Sequence, residues 1–367
     1  MKIICSKADL VKSVTIAIRA VPVHTTMPIL QCILIEAKNG DIRFTTNDMD
    51  LGIETHVKGI IEEEGVIAIE AKMFSDIIRK LPDSDITIST DERFTVTITC
   101  QKAKFVIGGQ SGDEFTALPS IEREESITLS QYTLKSVIVQ TIFSIATGEA
   151  NKMMTGELFE IRDGYLKVAS LDGHRISIRR VELKEECGEY RVIVPGKALN
   201  EISKILSGEM DDTVRIFFAG SHIMFELEDT IVLSRLIDGE YFGVDQMIST
   251  DYETKVSVNK RELLSCIDRA SLFVKEGDKK PIIFDIGDDS MKLNIDSPIG
   301  SMNEELVVSK EGKNLMIGFN PRYMMDALKV IEDEMITLYM VSSKAPCFIR
   351  DEEEQYTYLI LPVNFTH

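Results

Sequence analysis

The sequence predicts an α+β protein built from three repeated domains, each with two helices packed on antiparallel β-sheet. Three observations predict it. Strand–turn–strand signatures recur at intervals of about 125 residues, an amphipathic helical segment follows each of them at the same spacing, and a further helical segment opens each unit.

The opening segments come first in each unit. "ADLVKSVTIAIRAV", "QYTLKSVIVQTIFSIA" and "NKRELLSCIDRASLF" have helical periodicity; in the first, Leu10, Val14, Ala17, Ile18 and Val21 face inward while Lys12 and Arg19, seven apart, face outward. The hairpins follow. "NGDIRFTTND" from Asn39, "DGYLKVASLD" from Asp163 and "DDSMKLNIDS" from Asp288 align without gaps. Each begins with a turn pair, alternates apolar with polar residues, and is preceded by another apolar run, "CILIEA", "ELFEI" or "IIFDI". Asn-Gly and Asp-Gly favour tight hairpin turns. The second helices are "AKMFSDIIRKL", "GKALNEISKIL" and "NPRYMMDALKVI", whose apolar residues fall three and four apart: Phe74, Ile77, Ile78 and Leu81, then Leu199, Ile202 and Leu206, then Met324, Leu328 and Ile331. Lys72, Lys197 and Arg322 occupy one repeat position, and Arg79, Lys204 and Lys329 another, away from the apolar stripe. The polar segments "IEREESITLS" and "STDYETKVSV" separate the units, giving domains 1–126, 127–254 and 255–367.

Composition narrows the function classes. Apolar content of 44% and charged content of 28% are ordinary for a globular protein, and no apolar run approaches the ~20 residues of a membrane span, so no membrane partner is expected. The N-terminal "MKIICSKADLVKSV" lacks the pattern of an export signal, which predicts a cytoplasmic protein. Six scattered cysteines without C-x-x-C spacing indicate buried thiols, with neither a disulfide framework nor a zinc site. No P-loop or metal-ligand cluster is present, so no cofactor is expected.

Charge is sorted among the elements. The chain carries 41 Lys and Arg against 60 Asp and Glu, a net −19, which taken alone argues against nucleic acid. Yet each of the six helical segments is net positive, so the acidic surplus falls on strands and loops. Lys and Arg on one helix often do no more than solvate it. Their recurrence at matching repeat positions points to a basic surface facing an elongated polyanion.

These segments, taken in order with "MPIL" (Met27 to Leu30), "DGHR" (Asp172 to Arg175), "VIVPGKAL" (Val192 to Leu199), "LIDG" (Leu236 to Gly239), "IGFNPRYMMDAL" (Ile317 to Leu328) and the terminal "LILPVNF", resemble the bacterial DNA polymerase III β subunit family, the ring-shaped sliding clamps. The resemblance covers essentially the whole chain. It implies the DNA-clamp fold and a head-to-tail homodimeric ring whose helices surround double-stranded DNA. The clamp loader complex, the replicative DNA polymerase, and other polymerases and repair proteins with clamp-binding peptides would be its partners. Lys12, Arg19, Lys72, Arg79, Lys135, Lys197, Lys204, Arg322 and Lys329 are then expected to face DNA; His24 aligns where the family often has a cationic loop residue. Phosphate contacts suit a sliding ring, since they carry no sequence information.

The resemblance also bears on "SLDGHRIS", Ser170 to Ser177. Three readings compete for it: part of a hydrolytic site, a turn, or the wall of an apolar pocket that takes partner peptides. A triad needs a nucleophile and an oriented base, and no G-x-S-x-G or reactive-Cys context appears. Asp172 matches Asp48 of the first repeat, which favours a turn role for that carboxylate. The family's pocket carries over onto Met154, Leu171, Gly173, His174, Arg175 and Ile176, with Met247, Asn320, Tyr323, Lys344 and Pro346, and with Leu359, Leu361, Pro362 and Val363. Departures lie in "DGEYFGVDQM", where Phe242 and Gly243 replace an aromatic-Pro pair and Gln246 stands where the rim often has Arg, and at Leu171 in place of a small polar residue. Ring closure is expected to bring Phe105 against Leu272 and Phe273 of the partner subunit. Two alternatives stand beside the non-catalytic clamp: a clamp-like scaffold that binds peptides but encircles DNA poorly, and a metal-dependent enzyme using acids such as "DEEEQ" (Asp351 to Gln355), which reads better as a solvated loop.

Overall fold

The computed structural model describes residues 1–148, 151–185, 187–274 and 280–365. Among them are six α-helices: α1 (Lys7–Ala17), α2 (Ala71–Lys80), α3 (Gln131–Thr141), α4 (Gly196–Ile205), α5 (Lys260–Ser271) and α6 (Pro321–Val330). No described helix is long and apolar enough to cross a membrane. The chain forms two compact units, Met1–Thr133 with Lys197–Leu236, and Leu134–Gly196 with Ile237–His367, so that the middle repeat is divided between them.

Each opening helix follows a short strand and is capped by a polar side chain. Ser6 accepts from the Asp9 amide at 3.1 Å, Ser130 from that of Thr133 at 3.0 Å, and Asn259 from those of Arg261 and Glu262. Glu70 caps α2 and Asn320 caps α6 in the same way. Two opening helices are shorter than their periodicity predicts: α1 gives way to a 3₁₀ turn at Ile18–Ala20 and α3 to one at Ile142–Ser144. In α3 the hydroxyl of Thr141 donates back to the Val137 carbonyl at 2.8 Å, a bond that competes with helix continuation.

The first unit holds two sheets. One runs, edge to edge, Ile60–Glu63, Lys2–Ser6, Asp85–Thr90, Thr95–Cys100, Ala103–Gly108; the other runs Ser126–Ser130, Thr213–Ala219, His222–Glu226, Thr230–Arg235, Leu51–His56, Asp41–Asn47, Cys32–Lys38, Gly65–Glu70. The core of the first repeat joins Leu10, Val14 and Ala17 of α1 and Phe74 and Ile78 of α2 to Ile35, Phe44, Ile86 and Ile98 of the strands. The second unit has a nine-stranded sheet, Tyr190–Pro195, Gly156–Arg162, Tyr165–Leu171, Arg175–Glu182, Tyr356–Ile360, Cys347–Arg350, Met335–Met340, Thr254–Asn259, Ser309–Gly312. A four-stranded sheet, Gly300–Val307, Ser290–Ser297, Ile282–Ile286, Leu315–Phe319, completes it. The predicted hairpins form as Cys32–Lys38 with Asp41–Asn47, Gly156–Arg162 with Tyr165–Leu171, and Ile282–Ile286 with Ser290–Ser297. Asn39-Gly40 and Asp163-Gly164 both have positive φ at the two turn residues, as a primed hairpin turn requires.

Successive repeats share sheets. Thr230–Ser234 pairs antiparallel with Leu51–Thr55, stitching the second repeat to the first. Arg175–Arg179 pairs with Tyr356–Ile360, stitching the second to the third. In strand order, Ala103–Gly108 holds in the first repeat the place that Thr230–Arg235 and Tyr356–Ile360 hold in the others, and Gly300–Val307 holds the place of Leu51–His56 and Arg175–Glu182. Those two strands end their sheets and pair on one side only among the described residues.

A carboxyl group is buried without a hydrogen-bond donor. Glu157, in Gly156–Arg162, is fully buried, and neither carboxyl oxygen meets a hydrogen-bond donor among the described residues. Burial pushes its carboxyl well above the usual value; the neighbouring Thr141 hydroxyl pulls the other way, but its proton goes to Val137. The folded state therefore keeps a proton that the unfolded chain releases, and stability falls as pH rises from the ordinary glutamate range toward the raised value. Glu157→Gln is expected to flatten this slope and to raise the melting temperature at pH 8 relative to pH 5. Thermal melts of both proteins across that range check it, and parallel curves would contradict it.

Candidate peptide pocket and basic helix faces

The "SLDGHRIS" segment is a turn with a buried arginine. One oxygen of Asp172 accepts from the amides of His174 (2.9 Å) and Arg175 (3.1 Å), and the other pairs with Arg175 Nε at 3.0 Å. Asp48 makes the same turn in the first repeat, accepting from the amides of Asp50 and Leu51 at 3.1 and 2.6 Å. Both oxygens of Asp172 are thus committed, and Asp172 does not orient the His174 ring as a base. The nearby hydroxyls are buried and bonded, Ser170 to the Thr141 carbonyl and Ser177 to Ser144. This geometry removes the hydrolytic reading.

Arg175 itself ties three segments together. Only 7% of the residue is exposed, yet its guanidinium reaches Asp172, Asp326 of α6 at 2.7 Å and the Phe143 carbonyl. It lies 4.6 Å over the ring of Tyr323 and 5.3 Å over that of Phe143. His174 stacks on the other ring contact of this group, Tyr323, at 5.8 Å between centroids. Burial and the adjacent Asp172 raise the phenol of Tyr323 above its ordinary range.

Beside this turn lies an apolar cluster within the second unit. It contains Leu171, Ile176, Leu359 and the half-buried Met154, all predicted, together with Ile178, Tyr241, Val244 and Phe348, which the sequence reading missed. The apolar run Cys347–Ile349 was the available signal for Phe348. Met247 stands exposed at the rim. The segment after the last strand passes the turn, with the Leu361 amide donating to the His174 carbonyl at 2.9 Å and the Val363 amide to Gly318 at 2.8 Å. Leu361 is exposed while Pro346, Pro362 and Val363 are half-buried; Lys344 is exposed in the turn 342–345. Asn320 spends its side-chain oxygen on the Arg322 amide at 2.9 Å, so its place here is first that of a helix cap.

The departing "DGEYFGVDQM" segment is anchored by charge in place of a proline. Arg191 donates to the carbonyls of Tyr241 and Phe242, and Lys167, nearly buried, bridges Glu160 and Asp245, the latter at 2.6 Å. Phe242 packs edge-on against Tyr241 at 5.9 Å. Arg180, with nitrogens 3.8 Å from Asp245 and from Glu354, adds a looser link.

Among the described residues, some helix cations stand exposed and others meet carboxylates. Lys72, Arg79, Arg322 and Lys329 are exposed, as is His24, and Arg79 donates to Thr15 at 3.1 Å. Four others meet carboxylates. Lys12 lies 3.3 Å from Asp229, Arg19 3.0 Å and Lys204 2.7 Å from opposite oxygens of Glu201, and Lys197 pairs with Asp48. Arg19 and Lys135 are half-buried, a correction to the fully outward placement that periodicity predicts for Arg19; α1 tightens at Ile18–Ala20 and turns that side chain toward Glu201 of α4. The pairing holds Glu201 below the usual carboxylate range against the opposing effect of burial. Phe105 and Leu272 are exposed, whereas Phe273 packs against the core of the third repeat. A Cβ at Gly300, where φ is +148°, would lie 2.8 Å from the Phe273 ring, so glycine there admits the ring to the start of the edge strand.

"DEEEQ" is a hairpin loop: Asp351 accepts from the Tyr356 amide and Glu353 from Gln355. No group of His, Cys, Asp and Glu able to hold a metal occurs among the described residues. No disulfide links the cysteines among the described residues, and burial pushes the thiols of Cys5 and Cys347 up to about 12.

Comparison with known proteins agrees with this geometry. Models of the DNA polymerase III beta subunit match residues 1–119 (N-terminal domain), 128–242 (central domain) and 245–364 (C-terminal domain). The beta sliding clamps of Staphylococcus epidermidis and Staphylococcus aureus are each 34% identical over 357 residues, 94% of either chain. Among solved structures, a protein of Eubacterium rectale provisionally described as a DNA polymerase III beta subunit is 60% identical with a TM-score of 0.96, covering 100% of this chain and 99% of its own. The DNA polymerase sliding clamp of Bacillus subtilis is 34% identical with the same TM-score, and both chains are covered in full.

Proposed function

The chain belongs to the DNA polymerase III beta subunit family, the beta sliding clamps, and from that premise we propose that two copies close head to tail around duplex DNA. Its function is that of a DNA sliding clamp, a processivity factor of replication. The scaffold alternative finds no support in relatives matched over almost their whole length.

One observation carries the ring. Each of the two stitched junctions joins a last strand of one repeat to a fourth strand of its neighbour, and Ala103–Gly108 and Gly300–Val307 are the two strands of those classes left over. Pairing one with the other on a second copy repeats the same junction and removes both sheet edges. Phe105 of one protomer then meets Leu272 and Phe273 of its partner. The repeats, taken as 1–126, 127–254 and 255–367, supply the helices that line the opening.

Lys72, Arg79, Arg322 and Lys329, exposed on second helices, are the cations best placed to touch phosphate. Lys12, Arg19, Lys197 and Lys204 have part of their charge offset by Asp229, Glu201 and Asp48, which weakens attraction at any one point and suits sliding. Lys135 and His24 add minor contributions. The chain performs no bond chemistry; the cluster around Leu171, Ile176 and Leu359, flanked by His174, Arg175 and Met247, receives short peptides of the polymerase, the clamp loader and repair proteins.

Retention on circular and linearised plasmid after loading by a matched clamp loader tests the ring. Protein held on circles in moderate salt and lost on linearisation is the expected result. Equal, salt-sensitive loss from both would replace topological tethering with ordinary electrostatic binding.

A further inference from the structure

A cavity of about 390 Å³ in the second unit lies on the far side of the Arg175–Arg179 and Tyr356–Ile360 pairing, away from the apolar cluster. Gln140 of α3, Arg179 and Tyr358 line it, and each holds a buried polar atom with no partner among the described residues: Oε1 of Gln140, Nε of Arg179 and the hydroxyl of Tyr358. Gln140 is 8% exposed and Tyr358 1%. Leaving such groups unpaired costs about 1–3 kcal/mol each, so each can gain from a partner that enters the cavity.

The other stitched junction shows that this trio is not a necessity of the fold. A cavity also occurs there, lined by Lys12, Ile16 and the 227–230 turn. Counting from the helix starts, Ile16 stands in α1 where Gln140 stands in α3. By strand register, Thr55 and Val232 take the places of Arg179 and Tyr358. Ile16 and Val232 are apolar, and the Thr55 hydroxyl is bonded to Thr230 at 2.8 Å. Ile16, Thr55 and Val232 thus hold no unpaired polar atom in the places of Gln140, Arg179 and Tyr358.

The rim fixes the sign of the ligand. Glu332, Asp333, Asp351, Glu352 and Glu353 line the cavity against the single guanidinium of Arg179. Asp333 and Asp351 accept from the hydroxyl and amide of Tyr356, and no cation pairs with Asp333, Asp351, Glu352 or Glu353 among the described residues. The C-terminal end of α6, whose carbonyls carry negative partial charge, ends at Ile331 in the same wall. Gln140 already gives its Nε2 to the Val330 carbonyl at 3.3 Å, so what it still offers is an acceptor. A ligand rich in N–H donors meets all of these. Arg179 Nε is the exception, a donor that needs an oxygen, and a backbone carbonyl beside the cationic head would serve it.

The geometry points to a second peptide site, on this cavity, that takes a lysine or arginine side chain from a basic segment of a partner protein. It is separate from the apolar pocket, and its test needs neither DNA nor a loader. Fluorescence anisotropy of the full chain with a labelled peptide of two lysines flanked by glycines should give saturable binding. Tyr358→Phe leaves the net charge unchanged and is expected to weaken that binding about fivefold. Substituting the exposed loop pair, Glu352→Gln with Glu353→Gln, should weaken it at least as much without touching the core. Equal binding by Tyr358→Phe and the unaltered protein would reduce the interaction to attraction by a net −19 chain and overturn the site. Displacement of the peptide by spermidine at matched charge would overturn the peptide assignment in favour of a free polyamine.

Discussion

Arg175→Ala is expected to lower stability by about 3–5 kcal/mol, because it strips the partner from two carboxylates in a largely buried setting. Asp326 loses its 2.7 Å contact, Asp172 keeps only its turn amides, and the Phe143 carbonyl and two aromatic faces lose a cation. The same side chain fastens the turn that would form one wall of the proposed peptide pocket to α3's end and to α6. Peptide affinity should therefore fall together with the unfolding midpoint. Arg175→Lys tests the geometry separately from the charge: an ammonium cannot span Asp172, Asp326 and the Phe143 carbonyl as a planar fork does, and most of the loss should remain. Urea denaturation with a peptide titration reads both, and a variant with unchanged midpoint would refute the anchoring role.

Phe105→Ala with Leu272→Ala is expected to convert the dimer to monomer at micromolar concentration. Leu272 is 75% exposed and Phe105 38%, so neither holds its own domain together, and monomer stability should be preserved. A central apolar anchor contributes about 2 kcal/mol or more to an interface. A closed two-protomer ring contains the contact twice, and the dissociation constant should rise roughly 10³-fold or more. Sedimentation velocity across a dilution series checks this. A dimer that persists through the series would move the interface elsewhere.

What could be read in the sequence is what short-range periodicity encodes. Asn39-Gly40 and Asp163-Gly164 mark their hairpins because those pairs tolerate the required φ, and the apolar stripes of α2, α4 and α6 follow from spacings within a few residues. The Asp48 and Asp172 turns were legible for the same reason. Contacts set by the assembled fold were not. Arg19 meets Glu201, Lys12 meets Asp229 and Lys197 meets Asp48 only once strands of different repeats have paired, so cations that periodicity assigns to an open face are partly neutralised. Likewise nothing near Glu157 in "GELFEI" announces that its carboxyl is entirely buried, since the alternation of that strand treats it as one polar position among several. The proposed peptide pocket rests on resemblance, and Tyr241, Val244 and Phe348, which pack in the same apolar cluster as Leu171 and Leu359, lay outside what it carried over.

The two stitched junctions have a consequence for how the proposed ring would come apart. Both strands of each belong to one polypeptide, so a junction that frays re-forms against a partner held nearby, at an effective concentration in the millimolar range for a short tether. The seam made by Ala103–Gly108 and Gly300–Val307 has no such tether and answers to dilution. Six junctions of one design would thus differ in a single respect, covalent connectivity, and that difference assigns four of them to permanence and two to being gates. A loader acting on the proposed ring would need no weaker sequence at the gate; it would have only to hold apart two strands that no peptide bond will bring back together.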